Sequence, residues 1–214
     1  LGGAIAGIFF GYISTRRSGT TYAMITLGIG EMLVALAQML PDLSGGEAGL
    51  TTNRMLNKDF LGINFGSDMQ MYYFVWAWML VATLLMLAFT KTPLGRLANA
   101  TRDNPERVAF IGFNPQKIRW IVMVVAGFFA GIAGSLGAIN YELVTIENLG
   151  IGQSGMVLVA TYLGGTSFFG PIVGAFIYVL FLSVISTMTQ AWLLYFGVLF
   201  IAVVTFAPAG IISL

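Results

Sequence analysis

The run Trp120-Ile-Val-Met-Val-Val-Ala-Gly-Phe-Phe-Ala-Gly-Ile-Ala-Gly-Ser-Leu-Gly-Ala-Ile139 carries no charged side chain. As a helix it would rise about 30 Å, the thickness of a bilayer's hydrocarbon core. Directly before it stands the most basic part of the chain: Lys91, Arg96, Arg102, Arg107, Lys117 and Arg119, against only Asp103 and Glu106. Basic residues beside a span are retained on the cytoplasmic side during insertion, so this one stretch sets both the fold class and an orientation.

Further apolar runs lie on either side. Upstream, Met71 to Phe89 opens with Tyr72, Tyr73, Phe74, Trp76 and Trp78, the aromatic belt expected at headgroup level. Tyr22 to Leu40 is a complete span ended by Pro41, and Leu1 to Ile13 would extend only about 20 Å, so it reads as the tail of a longer span and the domain as N-terminally incomplete. Between these spans, residues 41 to 70 hold Asp42, Glu47, Asp59 and Asp68 against Arg54 and Lys58. Counting spans backward puts Arg16 and Arg17 on the same side as the 91–119 loop, so two separate basic clusters agree on one topology. The acidic 41–70 loop, Glu142 and Glu147 then face outward. From Asn148 onward no charge remains, and spans are expected near Pro171 to Met188 and Ala191 to Ala207. Met156 to Leu163, broken by Gly164 and Gly165, is too short to cross unaided and reads as a discontinuous or re-entrant element. A crossing would leave the C-terminus in the cytoplasm. The expected fold is all-α: one polytopic transmembrane helical bundle over residues 1–214, of about five to six spans counting that short segment.

Composition narrows the chemistry. The chain is 57% hydrophobic and 9% charged, against about 25% charged in soluble domains. A net charge of +1, with the basic residues gathered in loops, leaves no nucleic-acid surface. Without cysteine or histidine there is no disulfide, thiol nucleophile or imidazole base, and no metal site is expected. No G-x-x-x-x-G-K-[ST] loop is present, so the chain has no ATP site of that kind and no cofactor of its own. Small residues recur four apart: Gly3, Gly7 and Gly11; Gly127 and Gly131; Ala130, Gly134 and Ala138; Gly170 and Gly174. Such faces let helix backbones approach closely in lipid, and a pathway-lining role is the alternative. The one charge well inside a span is Glu31, which must face protein or water. It is the pathway candidate, for instance toward a substrate ammonium, or else an interhelical polar contact.

The basic loop also spells out its own structure. Proline is favoured at the first helical position after a capping residue, and Thr92-Pro93, Asn104-Pro105 and Asn114-Pro115 repeat that signal three times. Helices are therefore expected from about Pro93 to Arg102, from Pro105 to Ile111 with Gly112 as stop, and from Pro115 into the Trp120 span. The short middle helix would place Glu106 and Arg107 in its first turn and offer Val108, Ala109 and Ile111 as apolar surface for a partner; a plain solvated connector is the alternative.

The run Arg17-Ser-Gly-Thr-Thr-Tyr-Ala-Met-Ile-Thr-Leu-Gly-Ile-Gly-Glu31-Met, then Leu43-Ser-Gly-Gly-Glu-Ala-Gly-Leu50, resembles permease subunits of bacterial branched-chain amino acid ABC importers, the LivM type. So do Pro93 to Gly112, Leu163 to Ala175 and Phe206-Ala-Pro-Ala-Gly210, in the family's order. The resemblance implies a multi-pass protein of the bacterial inner membrane, paired with a second permease subunit, two cytoplasmic ATPase subunits that bind ATP and Mg, and an external substrate-binding protein. It would make Asn104, Pro105, Glu106, Arg107, Val108, Ala109, Ile111 and Gly112 the element that couples to the ATPase. Related permeases are associated with urea and short amides as well as branched-chain amino acids. A secondary transporter or channel is disfavoured by the lack of paired intramembrane charges, and an integral-membrane enzyme by the lack of a nucleophile with a base. The Ser44 to Leu50 segment would help form an external mouth or serve as a flexible turn.

Overall fold

The computed structural model describes residues 1–52, 66–165, 167–207 and 210–213. Arg54, Lys58 and Asp59 of the expected outer loop lie outside the described residues, as do the side chain of Glu47 and, from the C-terminal blocks, Thr166, Pro208 and Ala209. The chain forms two compact units, residues 1–149 and 150–214.

In the first unit, helices α1 (Gly2–Ser14), α2 (Thr20–Met39), α4 (Asp68–Lys91) and α7 (Pro115–Tyr141) are the long apolar elements, with a single turn α3 (Pro41–Ser44) and two short helices, α5 (Pro93–Asp103) and α6 (Pro105–Phe110), between them. α1 and α7 run antiparallel and touch backbone to backbone. A Cβ added at Gly7 would come within 2.9 Å of Val124 Cα, one at Gly127 within 2.5 Å of Gly3 O, and Gly11 lies against Trp120 and Met123. The Trp120 indole N–H donates to the Ile8 carbonyl at 3.0 Å, and its ring meets Tyr12 edge-on at 6.2 Å. Lipid offers no hydrophobic drive to helix association, so this close approach, with its dispersion contacts, is what holds the pair. Two hydroxyls buried there, Ser14 and Thr15, donate to the Gly11 carbonyl at 3.4 and 2.7 Å, which removes the cost of burying them unpaired.

The antiparallel arrangement sorts the loops by end. The C-terminus of α1, with Arg16 and Arg17, lies beside the N-terminal end of α7 and so beside the 91–119 loop. At the other end β1 (Leu50–Thr51) pairs antiparallel with β2 (Leu143–Val144), Leu50 opposite Val144 and Thr51 opposite Leu143. Among the described residues this ladder is the exception to an otherwise helical unit, and no hydropathy pattern announces it. Ser44 to Leu50, open between a mouth and a flexible turn on sequence grounds, is a chain of tight turns leading into β1. Ser44 Oγ donates to Ala37 O at 2.7 Å and accepts from Gly46 N at 3.2 Å, and Gly49 sits at φ +73 where a side chain would strike Val144 O. α7 ends with Glu142 at φ +55, the left-handed residue that turns the chain into β2.

The second unit is a hairpin of α8 (Ile151–Gly164) and α9 (Gly170–Leu180), continued by a π-helical turn (Phe181–Ile185) and α10 (Ser186–Met188), and then α11 (Trp192–Phe206). The short apolar segment expected at Met156 to Leu163 is longer than hydropathy indicates: the helix starts at Ile151 and takes in Gly152, Gln153 and Ser154. Its 14 residues still rise only about 21 Å, less than a bilayer core. Gly164 and Gly174 face backbone of the opposing helix with no room for a Cβ, and Gly165 at φ +106 begins the turn between them. Tyr178 and Phe181 set their rings edge-on against Phe196 at 5.3 and 5.8 Å. In the π-helical turn the backbone ladder shifts by one residue, and the Ser186 hydroxyl donates to the Leu182 carbonyl.

Among the described residues, four helices are long and apolar enough to cross a bilayer, Thr20–Met39, Asp68–Lys91, Pro115–Tyr141 and Gly170–Met188, beside the shorter apolar Gly2–Ser14 and Trp192–Phe206. Their outer surfaces carry large apolar side chains in the open, among them Leu84, Phe176 and Ile201, as a bundle in lipid requires. The protein is a multi-pass membrane bundle.

Candidate functional site

The basic loop forms the three helices that its prolines indicate, each start capped by the residue before the proline. Thr92 Oγ1 accepts from Gly95 N at 3.2 Å, Asn104 Oδ1 from Arg107 N at 3.1 Å, and Asn114 Oδ1 from Gln116 N at 2.9 Å and Lys117 N at 3.4 Å. Glu106 stands in the first turn of α6, where a negative charge meets the positive end of the helix dipole. Gly112, at φ +93, ends α6: Phe113 N donates to Val108 O at 3.2 Å and Gly112 N to Ala109 O at 3.0 Å. That pair of bonds closes a Schellman motif, which needs a residue free to turn left-handed at this place. Asn104, Pro105 and Gly112 thus hold a rigid turn and a half of helix.

The side chains of α6 do not all face as expected. Val108 is only 2% exposed, because α6 packs against α5 and α7 and Val108 lies on that inner side. It belongs to the protein's own core and is not available to a docking partner, which corrects the apolar surface drawn from sequence. Ala109 and Ile111 do face outward, joined by two residues that sequence reasoning passed over: Phe110, 89% exposed, and Phe113, 48% exposed. The missed signal was the size of Phe110, the largest apolar side chain in the helix. Glu106 and Arg107 are exposed beside them. The result is a small apolar knob with a charged rim, projecting at the end where Arg16, Arg17, Lys91, Arg96, Arg102, Arg107, Lys117 and Arg119 gather against Asp103 and Glu106.

Glu31 lies on the exposed side of α2, a helix with no buried residue. Its carboxylate is not hydrogen-bonded or ion-paired to another described residue, and Glu31 lines neither of two large clefts of the unit.

The first cleft, about 780 Å³, runs between α1, α2, α5 and α7, with walls that include Phe10, Ile29, Leu33 and Val122 and with Arg102 and Arg119 at its basic end. The second, about 770 Å³, separates α4 from α7; Asp68, Tyr72, Asn140 and Tyr141 stand at its end away from the basic loop, while Trp78, Met86 and Phe129 line its depth. Among the described residues no three of Asp, Glu, His or Cys come together as metal ligands would. Among the described residues the geometry offers two clefts and an exposed apolar knob.

Residues 1–207 match the family described as the permease component of the branched-chain amino acid transport system. The LivM permease of the high-affinity branched-chain amino acid transport system of Escherichia coli is 26% identical over 99% of this chain and 55% of its own length. The fructose import permease FruF of Bifidobacterium longum is 26% identical over 78% of the chain and 45% of its own length. The galactose/methyl galactoside import permease MglC of Haemophilus influenzae is 28% identical over 92% and 57%. The chain spans about half the length of the curated relatives it matches. No solved structure matches. On a family match that runs through both compact units, this chain belongs to the permease components of the branched-chain amino acid transport family.

Proposed function

We propose that this chain forms part of the translocation pathway for ATP-driven uptake of branched-chain or related amino acids across the bacterial inner membrane. It is a transport subunit rather than an enzyme. ATP and Mg are bound by two separate cytoplasmic ATPase subunits; a second permease subunit completes the pathway and an external binding protein delivers substrate. The observation that carries this reading is the knob of Ala109, Phe110, Ile111 and Phe113, capped by Asn104, closed by Gly112 and raised at the most basic end of the protein. Exposed aromatic and aliphatic side chains on a rigid helix are what a partner's groove accepts. Basic residues around them support a cytoplasmic position, where ATPase subunits are found.

Glu31 fits the same reading. A carboxylate facing lipid at mid-span costs about 3 kcal/mol, so the open side of α2 is covered by the second permease subunit or borders the water-filled pathway. Replacement by Gln should then preserve insertion, while Leu should lower transport. A second substrate class is favoured by one finding, the fructose and galactoside permeases among the relatives. Reconstituting the full-length subunit with its ATPase partners and measuring leucine and fructose uptake separates the two. The transport reading expects uptake that requires ATP. Uptake of either solute undiminished without ATP would overturn it.

A further inference from the structure

We propose that the groove between α1, α2, α5 and α7 binds an anionic phospholipid, with its phosphate between Arg102 and Arg119 and an acyl chain along Phe10, Ile29, Leu33 and Val122. The inference rests on the chain lying in a membrane and not on what it transports.

Three observations converge. The first is length: on α7 the lining runs from Ile118 to Gly131, about 20 Å of helix, against about 15 Å for one leaflet of the hydrocarbon core. The groove is therefore as deep as a lipid tail lies, with room for a headgroup at its end. The second is the distribution of polarity. Tyr22, Thr26 and Thr101 line it too, but their hydroxyls are committed: Tyr22 donates to Met123 Sδ at 3.0 Å, Thr26 to Tyr22 O at 2.9 Å and Thr101 to Leu97 O at 2.7 Å. Arg102 and Arg119 are not hydrogen-bonded or ion-paired among the described residues, so their donors are the ones left open. Both stand at the basic end. The third is charge. The surrounding end of the unit holds Arg16, Arg17, Arg96 and Lys117 besides, while its carboxylates, Asp103 and Glu106, are exposed on the loop.

A planar guanidinium offers paired donors that match phosphate oxygens, and basic pockets between spans on the cytoplasmic side suit acidic headgroups. A zwitterionic amino acid fits less well, because no carboxylate lines the groove to meet its ammonium. A polypeptide segment would fill the apolar length but leave both guanidiniums without an anion.

Native mass spectrometry of the full-length protein in detergent, titrated with phosphatidylglycerol or with phosphatidylcholine of the same chains, tests this. Phosphatidylglycerol should be retained at about tenfold lower concentration, as expected of one or two charge-assisted hydrogen bonds. The paired substitution Arg102→Gln and Arg119→Gln should abolish the preference, whereas Arg96→Gln, off the groove, should keep it. Ala126→Phe, at an exposed position on the groove wall, should weaken retention of both lipids. Equal retention of the two lipids overturns the proposal, as does a preference that survives the paired substitution. Retention of neither lipid, the result if another part of the protein fills the groove, also overturns it.

Discussion

Two faces of one helix behave differently. Toward α1, α7 presents Gly127 and Gly131, and the two backbones meet along their length. Toward α4 it presents Phe129, Ile132 and Leu136, and a cleft of about 770 Å³ remains between the helices. In water both pairs would close to bury apolar surface. In lipid that drive is absent, so contact follows from whether side chains let the backbones approach. Small residues on both partners make a seam; large ones on both hold the helices apart and leave a space for a solute or another element.

The heaviest effect is expected from breaking the seam. Gly7→Leu would place its Cβ 2.9 Å from a backbone atom of α7, which cannot yield without moving the helix, and should cost about 3 kcal/mol, the upper range for overpacking. Loss of resistance to denaturing detergent would register it; a variant as stable as wild type would show that the seam does not hold the pair. Next comes the contact of α6 with α5 and α7. Val108→Asp buries an unpartnered polar group and should cost about 2 kcal/mol by the same assay. Ile111→Asp, on the exposed side, should leave stability within about 0.5 kcal/mol but reduce co-purification of the ATPase. Undiminished co-purification would remove Ile111 from the coupling surface. Asn104→Ala, which removes the cap of α6, should cost about 1 kcal/mol, read as faster amide exchange confined to the loop. The smallest effect belongs to the open face. Ala82→Leu projects into the space between α4 and α7 and should shift stability by less than about 0.5 kcal/mol. If it lowers uptake while stability holds, the cleft lies on the solute path; if it destabilises as Gly7→Leu does, the two faces do not differ as described.

The caps were legible because their chemistry is local: Thr92, Asn104 and Asn114 each bond a backbone N–H two or three residues on, within reach of any reader of the sequence. The direction of Val108 was not. Six residues are too few for a hydrophobic period to show a face, and the packing of α6 on α5 and α7 decides it. Hydropathy likewise located Glu31 in mid-span but could not say that α2 leaves its side open.

What the sequence alone determined is the membrane class, the helix starts and stops of the basic loop, and the sorting of charge to one end. Each depends on composition or on neighbours a few residues apart. Only the tertiary structure decided that Gly3 and Gly7 meet Gly127 and Val124, that Leu50 pairs with Val144, and that Arg102 and Arg119 share a groove. Those contacts join residues far apart in the chain, and in lipid they are chosen by the fit of one helix surface to another, a property that no single segment carries.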